Sequence, residues 1–284
     1  MSLREFAVDV PLGRLAGLRG GTAGGRRVLA LHGWLDNAAS FVPLAPYLDG
    51  TDLVALDLPG HGRSAHLPPG AEYTRNVALN AVLDTADALG WDDFVLLAHS
   101  MGAGIASLIA AAVPERVRAF VAIEALGGLS EDPARAAVRM RESVAATRAL
   151  KDKPLRVFAD PAAPVRARML ANQVSEPVAR LLVERGIVAV PGGWQWSTDQ
   201  RLTVPSFLYP TDAQVDAVIA AIACPTQVVY AEPAQPYFPE PLRSRRAAAL
   251  PQGRLAVLPG NHHLHMEDPA AVAAVIHGFF ATLE

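Results

Sequence analysis

The run Ala98-His99-Ser100-Met101-Gly102 constrains this chain more than any other feature. An apolar, strand-forming stretch, Phe94-Val95-Leu96-Leu97, precedes it, and a helix-forming run from Gly104 to Val113 follows. A serine between two such segments stands at the apex of a sharp strand-to-helix turn. The backbones nearly touch there, so small residues are needed two positions to either side, and Ala98 and Gly102 supply them. The turn exposes the hydroxyl at the carboxyl edge of a sheet and aims a helix N-terminus at it. That is the context a G-x-S-x-G match requires, with alanine here in the first glycine position. The pattern implies a nucleophilic serine. The plainer use of a serine before a helix is as an N-cap, and the flanking small residues weigh against it.

Short apolar strands alternate with helices along the rest of the chain. Phe6 to Val10 and Gly13 to Leu18 read as an opening hairpin. Val28-Leu29-Ala30-Leu31, Leu53-Val54-Ala55-Leu56, Phe94 to Leu97 and Ala119 to Ile123 read as buried strands, with helices expected near Ser40 to Leu48 and from Arg75 to Leu89. Thr226 to Tyr230, Leu255 to Leu258 and a helix from Pro269 to Leu283 restore the rhythm near the end. The alternation predicts an α/β fold with a mostly parallel sheet covered by helices on both faces.

Residues 127–208 interrupt this rhythm. They hold Arg-rich helical segments such as Pro133 to Leu150, several prolines, and Gly192-Gly193-Trp194-Gln195-Trp196, read as two large aromatics on a flexible hinge. The expected division is a core of residues 1–126 and 209–284 and a helical insertion of 127–208 after the sixth strand, lying as a lid over Ser100.

Composition narrows the setting. Of the 284 residues 51% are hydrophobic, enough for a sizeable core. A net charge of −3 gives no general attraction to nucleic acid or anionic membrane. Cys224 is the only cysteine, so no internal disulfide can form. The opening Met1 to Phe6 carries an acid and has no apolar h-region. No apolar stretch approaches the ~18 residues of a membrane span. These features favour a cytoplasmic protein with neither nucleic-acid nor membrane partners, and they leave its oligomeric state open.

Four motifs together resemble the α/β-hydrolase superfamily, and more closely its serine hydrolase-like branch: Leu31-His32-Gly33-Trp34-Leu35-Asp36-Asn37, Asp57-Leu58-Pro59-Gly60-His61-Gly62-Arg63-Ser64, the serine turn, and Gly260-Asn261-His262-His263-Leu264-His265-Met266-Glu267-Asp268-Pro269. The resemblance spans the chain and implies an eight-stranded α/β-hydrolase fold with a nucleophile, acid, histidine order. It is specific for fold and reaction class and weak for substrate. Ser100 needs a histidine to take its proton. The family's His-x-x-His-x-Glu-x-Pro spacing, anchored on Glu267 and Pro269, falls on His262 and His265 and makes His262 the base, with His263 its rival. A metal cluster of these histidines finds no convergent Cys or Asp in sequence.

The acid departs from the usual pattern, because the aspartate position after the seventh strand falls on Ala234. Glu232 lies on that loop, one or two residues early. Glu124 directly follows the sixth strand, where some α/β-hydrolases keep their acid. A carboxylate at the buried end of an apolar strand needs a partner, so Glu124 is preferred, with pairing to an arginine of the insertion its structural alternative. The oxyanion hole is assigned to the backbone N–H groups of Met101 and Trp34. Asp36 and Asn37 are read as bracing the Trp34 loop, and His32, His61 and His99 as scaffold.

Ser100 in place of an aspartate argues against dehalogenase or epoxide-hydrolase chemistry. The glycine-rich Arg19 to Gly25 reads as a hairpin connection, not a phosphate cradle. The resemblance thus implies a carboxylic ester hydrolase acting on a small-molecule ester through an acyl-enzyme, with no metal or organic cofactor. Trp34, Trp194, Trp196 and Phe207 are expected to line a pocket for an apolar acyl or aryl group. Thioester, amide or carbon–carbon bond hydrolysis, acyl transfer, and a non-catalytic ligand-binding homologue remain as alternatives.

Overall fold

The computed structural model describes residues 1–150 and 153–283; Lys151, Asp152 and Glu284, which fall within the insertion and core ranges given above, lie outside the described residues. The chain opens with the antiparallel hairpin β1 (Arg4–Val10) and β2 (Gly13–Gly21), then runs through β3 (Arg26–Leu31) and β4 (Thr51–Leu56). The helix expected near Ser40 to Leu48 is instead two short 3₁₀ turns, Ala38–Phe41 and Ala45–Tyr47, the second with Pro46 in its first turn. Helix α1 (Arg75–Ala88), β5 (Phe94–His99), α2 (Met101–Ala112) and β6 (Val117–Ile123) complete the first part.

Between β6 and the next strand of the main sheet lie α3 (Ala136–Leu150), α4 (Ala162–Asn172), α5 (Glu176–Gly186) and a separate hairpin, β7 (Ile187–Val190) with β8 (Gly193–Trp196). Here the expectation needs correcting. Trp194 and Trp196 do not ride on a flexible hinge: they are paired residues of β8, opposite Ala189 and Ile187. The four-residue strands are too short for alternation to show in sequence. Then follow α6 (Asp212–Ala220), β9 (Thr226–Glu232), α7 (Leu242–Ala248), β10 (Gly253–Pro259), the single turn α8 (Leu264–Glu267) and α9 (Pro269–Phe280).

The main sheet has eight strands in the order β1-β2-β4-β3-β5-β6-β9-β10, parallel from β4 to β10. Strand alternation divides its side chains between two cores. Leu29, Leu31, Leu96 and Phe120 face α1 and α2 with Ala81, Ile105 and Ile109. Val28, Ala30, Leu97 and Val121 face the other way, onto Phe41, Val272, Ile276 and Phe279. A sheet buried on both faces leaves its carboxyl edge as the place where polar chemistry can gather. Among the described residues no helix is long and apolar enough to cross a membrane.

Candidate active site

Ser100 follows the last residue of β5 with φ 52° and ψ −117°, a conformation that costs a non-glycine residue strain. Two approaches hold it there. Its N–H donates to the Ile123 carbonyl at 2.9 Å, and Gly102 lies so close to β3 that a Cβ would stand 2.3 Å from the Leu31 carbonyl oxygen. Ser100 precedes α2 but makes no side-chain capping bond. Its Oγ lies 2.9 Å from His262 Nε2 instead.

His262 Nδ1 lies 3.1 Å from Glu124 Oε2. Glu124 directly follows β6, also at positive φ (60°), with its N–H donating to the Val229 carbonyl. Its Oε1 accepts the Ala231 N–H. The carboxylate is thus buried but bonded on both oxygens, as burial requires. Glu232 is elsewhere: its mostly exposed carboxylate faces Arg243 at 3.6 Å. His263 turns away from Ser100, its Nε2 3.1 Å from Asp36 Oδ2 and 3.5 Å from the Asn172 amide. His265 Nε2 pairs with Ser40 Oγ at 2.7 Å. The structure therefore brings Ser100, His262 and Glu124 into one hydrogen-bonded chain and leaves Glu232 and His263 out of it.

The loop after β3 passes over the serine. His32 Nδ1 donates to the Gly33 carbonyl at 2.8 Å, while its Nε2 accepts the Leu58 N–H. A trans peptide points C=O and N–H in opposite directions, so holding the Gly33 carbonyl fixes where the Trp34 N–H points. Met101 is the first residue of α2, and its N–H is one of the donors a helix cannot pair internally. Burial pushes the neutral-to-charged transition of His32 down to about 4 and that of His61 down to about 3. Both rings are therefore uncharged scaffold near neutrality. For Asp36, burial acts to raise the carboxyl, but His263 and Arg168 more than reverse it and hold it well below the ordinary range.

The segment between β6 and β9 is seated on the carboxyl-edge loops. Arg185 of α5 meets the fully buried Asp57 at 2.9 Å and also reaches Glu5. Arg168 of α4 bonds Asp36 and the Leu35 carbonyl. The Leu182 carbonyl accepts from Asn37, and the Leu202 carbonyl accepts from the indole N–H of Trp34 at 2.9 Å. Trp34 is 54% exposed and Phe207 is 42% exposed. Trp194 and Trp196, expected as pocket lining, pack against the segment's own apolar cluster of Val165, Val178, Leu182 and Val183. Phe158 and Arg168 flank the Trp196 ring.

One neighbour of the histidine escaped sequence reasoning. The Tyr237 hydroxyl lies 3.2 Å from both ring nitrogens of His262, with the two rings nearly perpendicular. Equal distances place it over the imidazole face, since the in-plane positions belong to Ser100 and Glu124. Tyr237 lies on the loop after β9, where the absence of an aspartate was the only signal.

The α/β hydrolase fold family profile matches residues 26–269. A serine hydrolase-like protein of Danio rerio is 29% identical, covering 97% of this chain and 87% of its own. Lipase LipV of Mycobacterium tuberculosis is 30% identical, covering 91% of this chain and 94% of its own. The crystal structure of a hypothetical protein from Pseudomonas aeruginosa PAO1 superposes with a TM-score of 0.91 at 41% identity, over 98% of this chain and 99% of that one.

Proposed function

The chain belongs to the α/β hydrolase fold family, and from that premise we propose that it is a serine hydrolase cleaving carboxylic esters through an acyl-enzyme. The observation that carries this reading is the continuous chain from Ser100 Oγ through His262 to Glu124, at 2.9 and 3.1 Å, built on a strained nucleophile turn.

His262 Nε2 takes the Ser100 proton as Oγ attacks the ester carbonyl, and Glu124 holds the Nδ1–H and stabilises the imidazolium that forms. The N–H groups of Met101 and Trp34 receive the developing alkoxide, with the positive end of α2 behind Met101. Collapse breaks the bond to the alcohol oxygen, which takes the proton from His262 and leaves. Water then attacks the acyl-Ser100 ester, giving its proton to His262. Breakdown of the second tetrahedral intermediate returns that proton to Ser100 and releases the acid. The exposed faces of Trp34 and Phe207 are the surfaces offered to an apolar acyl or aryl group, with the segment between β6 and β9 as the lid above them.

The test is hydrolysis of p-nitrophenyl esters from acetate to dodecanoate by the wild type beside Ser100→Ala, with fluorophosphonate labelling of both. Turnover and labelling that vanish together in the variant support the serine route, and the chain-length optimum sizes the acyl pocket. Labelling without turnover on any ester would replace the ester reading by another acyl chemistry on the same triad. Absence of both in the wild type would overturn the proposal.

A further inference from the structure

Beside the His262 ring, whose centroid lies 4.8 Å from that of His99 and 5.4 Å from that of His263, three buried side chains converge. Asp36 Oδ2 lies 3.1 Å from His263 Nε2 and 3.8 Å from His99 Nδ1, and the three donor atoms fall within 4.8 Å of one another. The aspartate whose absence argued against a metal in sequence is supplied by the loop after β3, some 227 positions from His263.

The hydrogen bonds decide the state of His99. Its Nε2 lies 2.7 Å from the His262 carbonyl, which can only accept, so Nε2 carries the proton and Nδ1 is a lone pair. That lone pair is buried, has no hydrogen-bond partner among the described residues, and faces a carboxylate oxygen. Two electron-rich atoms facing each other in a dry interior call for a cation between them. Protonating Nδ1 would put a charge on a fully buried ring flanked by the imidazoles of His262, His263 and His265, with centroids 4.2 to 5.1 Å away.

His263 offers its Nε2 as a ligand once its proton moves to Nδ1. Its Nδ1 is buried without a partner. Moving the proton to Nδ1 gives up the bond to Asp36 and leaves a buried N–H unpaired among the described residues, so the metal bond must offset both. Gly33 provides the space. A Cβ there would lie 2.9 Å from His99 Nδ1 and 3.1 Å from Asp36 Oδ2, so the notch that both donors face exists because residue 33 has no side chain. Gly33 is not at positive φ, and the backbone alone does not require glycine. Arg168 bonds the other carboxylate oxygen, as outer partners of a ligating carboxylate do.

We propose that Asp36 Oδ2, His99 Nδ1 and His263 Nε2 form a binding site for one divalent transition-metal ion of the Zn²⁺ class. Two neutral imidazoles and a carboxylate suit that class, with bonds near ~2.0–2.2 Å. Closing on an ion draws the His99 side of the triangle inward and leaves the Asp36–His263 edge nearly unchanged. The ion would link the loop after β3, the nucleophile strand and the loop carrying His262. The site does not depend on the ester reading.

The test is calorimetric titration of chelator-treated full-length protein with ZnCl₂, beside Gly33→Ala, Asp36→Asn and the surface control His66→Gln. The expected result is one saturable site per chain, an affinity drop of at least about 100-fold in the first two variants, and no change in the third; even outer-shell losses weaken metal binding 10- to 100-fold. Circular dichroism checks the fold of each variant. Should the buried variants misfold, X-ray absorption of the wild type with one equivalent of Zn²⁺ decides instead, through two imidazoles in the first shell. No saturable site, undiminished binding by folded Gly33→Ala, or a zinc spectrum with fewer than two imidazoles would overturn the proposal.

Discussion

Around the main sheet, two apolar clusters carry the structure, filled by side chains such as Leu29, Phe94 and Phe120 on one face and Phe41, Leu97 and Ile276 on the other. Among the described residues, the stretch from α4 to Leu202 packs one small cluster of its own, and even that borrows Met266 of α8. Its hold on the rest is polar: Arg185 on Asp57, Arg168 on Asp36, and side-chain bonds to the Leu182, Leu202 and Gln173 carbonyls. The difference separates two kinds of precision. Ser100 and Glu124 are placed by strand ends whose register the apolar cores enforce, whereas the stretch from α4 to Leu202 is placed by a few charge pairs that water, acid or one substitution can undo.

The contrast is broken most severely at a strand end. Glu124→Gln keeps the shape but loses the charge opposite His262; ester turnover should fall about 10⁴-fold, the scale of an equivalent change in a triad, with the melting temperature little altered. Glu232→Gln should leave turnover within about twofold, since that carboxylate faces Arg243. On α5, Arg185→Leu leaves Asp57 buried without its cationic partner and should cost about 3–5 kcal/mol in urea unfolding. Leu182→Ala empties part of the small cluster and should cost about 2–4 kcal/mol. Hydrogen exchange should show the lost protection in α4 and α5 ahead of β5 and β6.

Acid tests the polar seam. His32 and His61 resist protonation in the folded state and not in the unfolded one, so unfolded chains bind more protons as pH falls. Their contribution is whole above about pH 6.5 and is lost downward, to about pH 4 for His32 and about pH 3 for His61. Each adds a slope on the order of 1.4 kcal/mol per pH unit within its window. Melting curves between pH 7 and pH 4 check it. The smallest stability loss belongs to Trp34→Phe, which removes the indole bond to the Leu202 carbonyl; about 0.5–1.5 kcal/mol is expected for one hydrogen bond.

The sheet was legible because its strands are short apolar runs between turn residues, and the serine turn because steric crowding dictates Ala98 and Gly102. The preference for Glu124 over Glu232 rests on the cost of an unpaired buried carboxylate; Glu124 lies beside His262 and Glu232 beside Arg243. Other features were hidden for physical reasons. The β7–β8 hairpin is four residues a side, too short for a period to register. The roles of Trp194 and Trp196 depend on which face of that hairpin meets α5. Tyr237 reaches His262 through a loop fold that no local pattern encodes, and the meeting of Asp36 with His263 is a contact across 227 positions.

Because the carboxylate beside His262 is carried by the end of β6, the loop from Pro233 to Pro241 is relieved of that duty. What it contributes at the site is Tyr237, a half-exposed ring over the imidazole. Natural variation or laboratory grafting can therefore change the chemistry of this loop while the hydrogen-bonded chain from Ser100 through His262 to Glu124 stays intact.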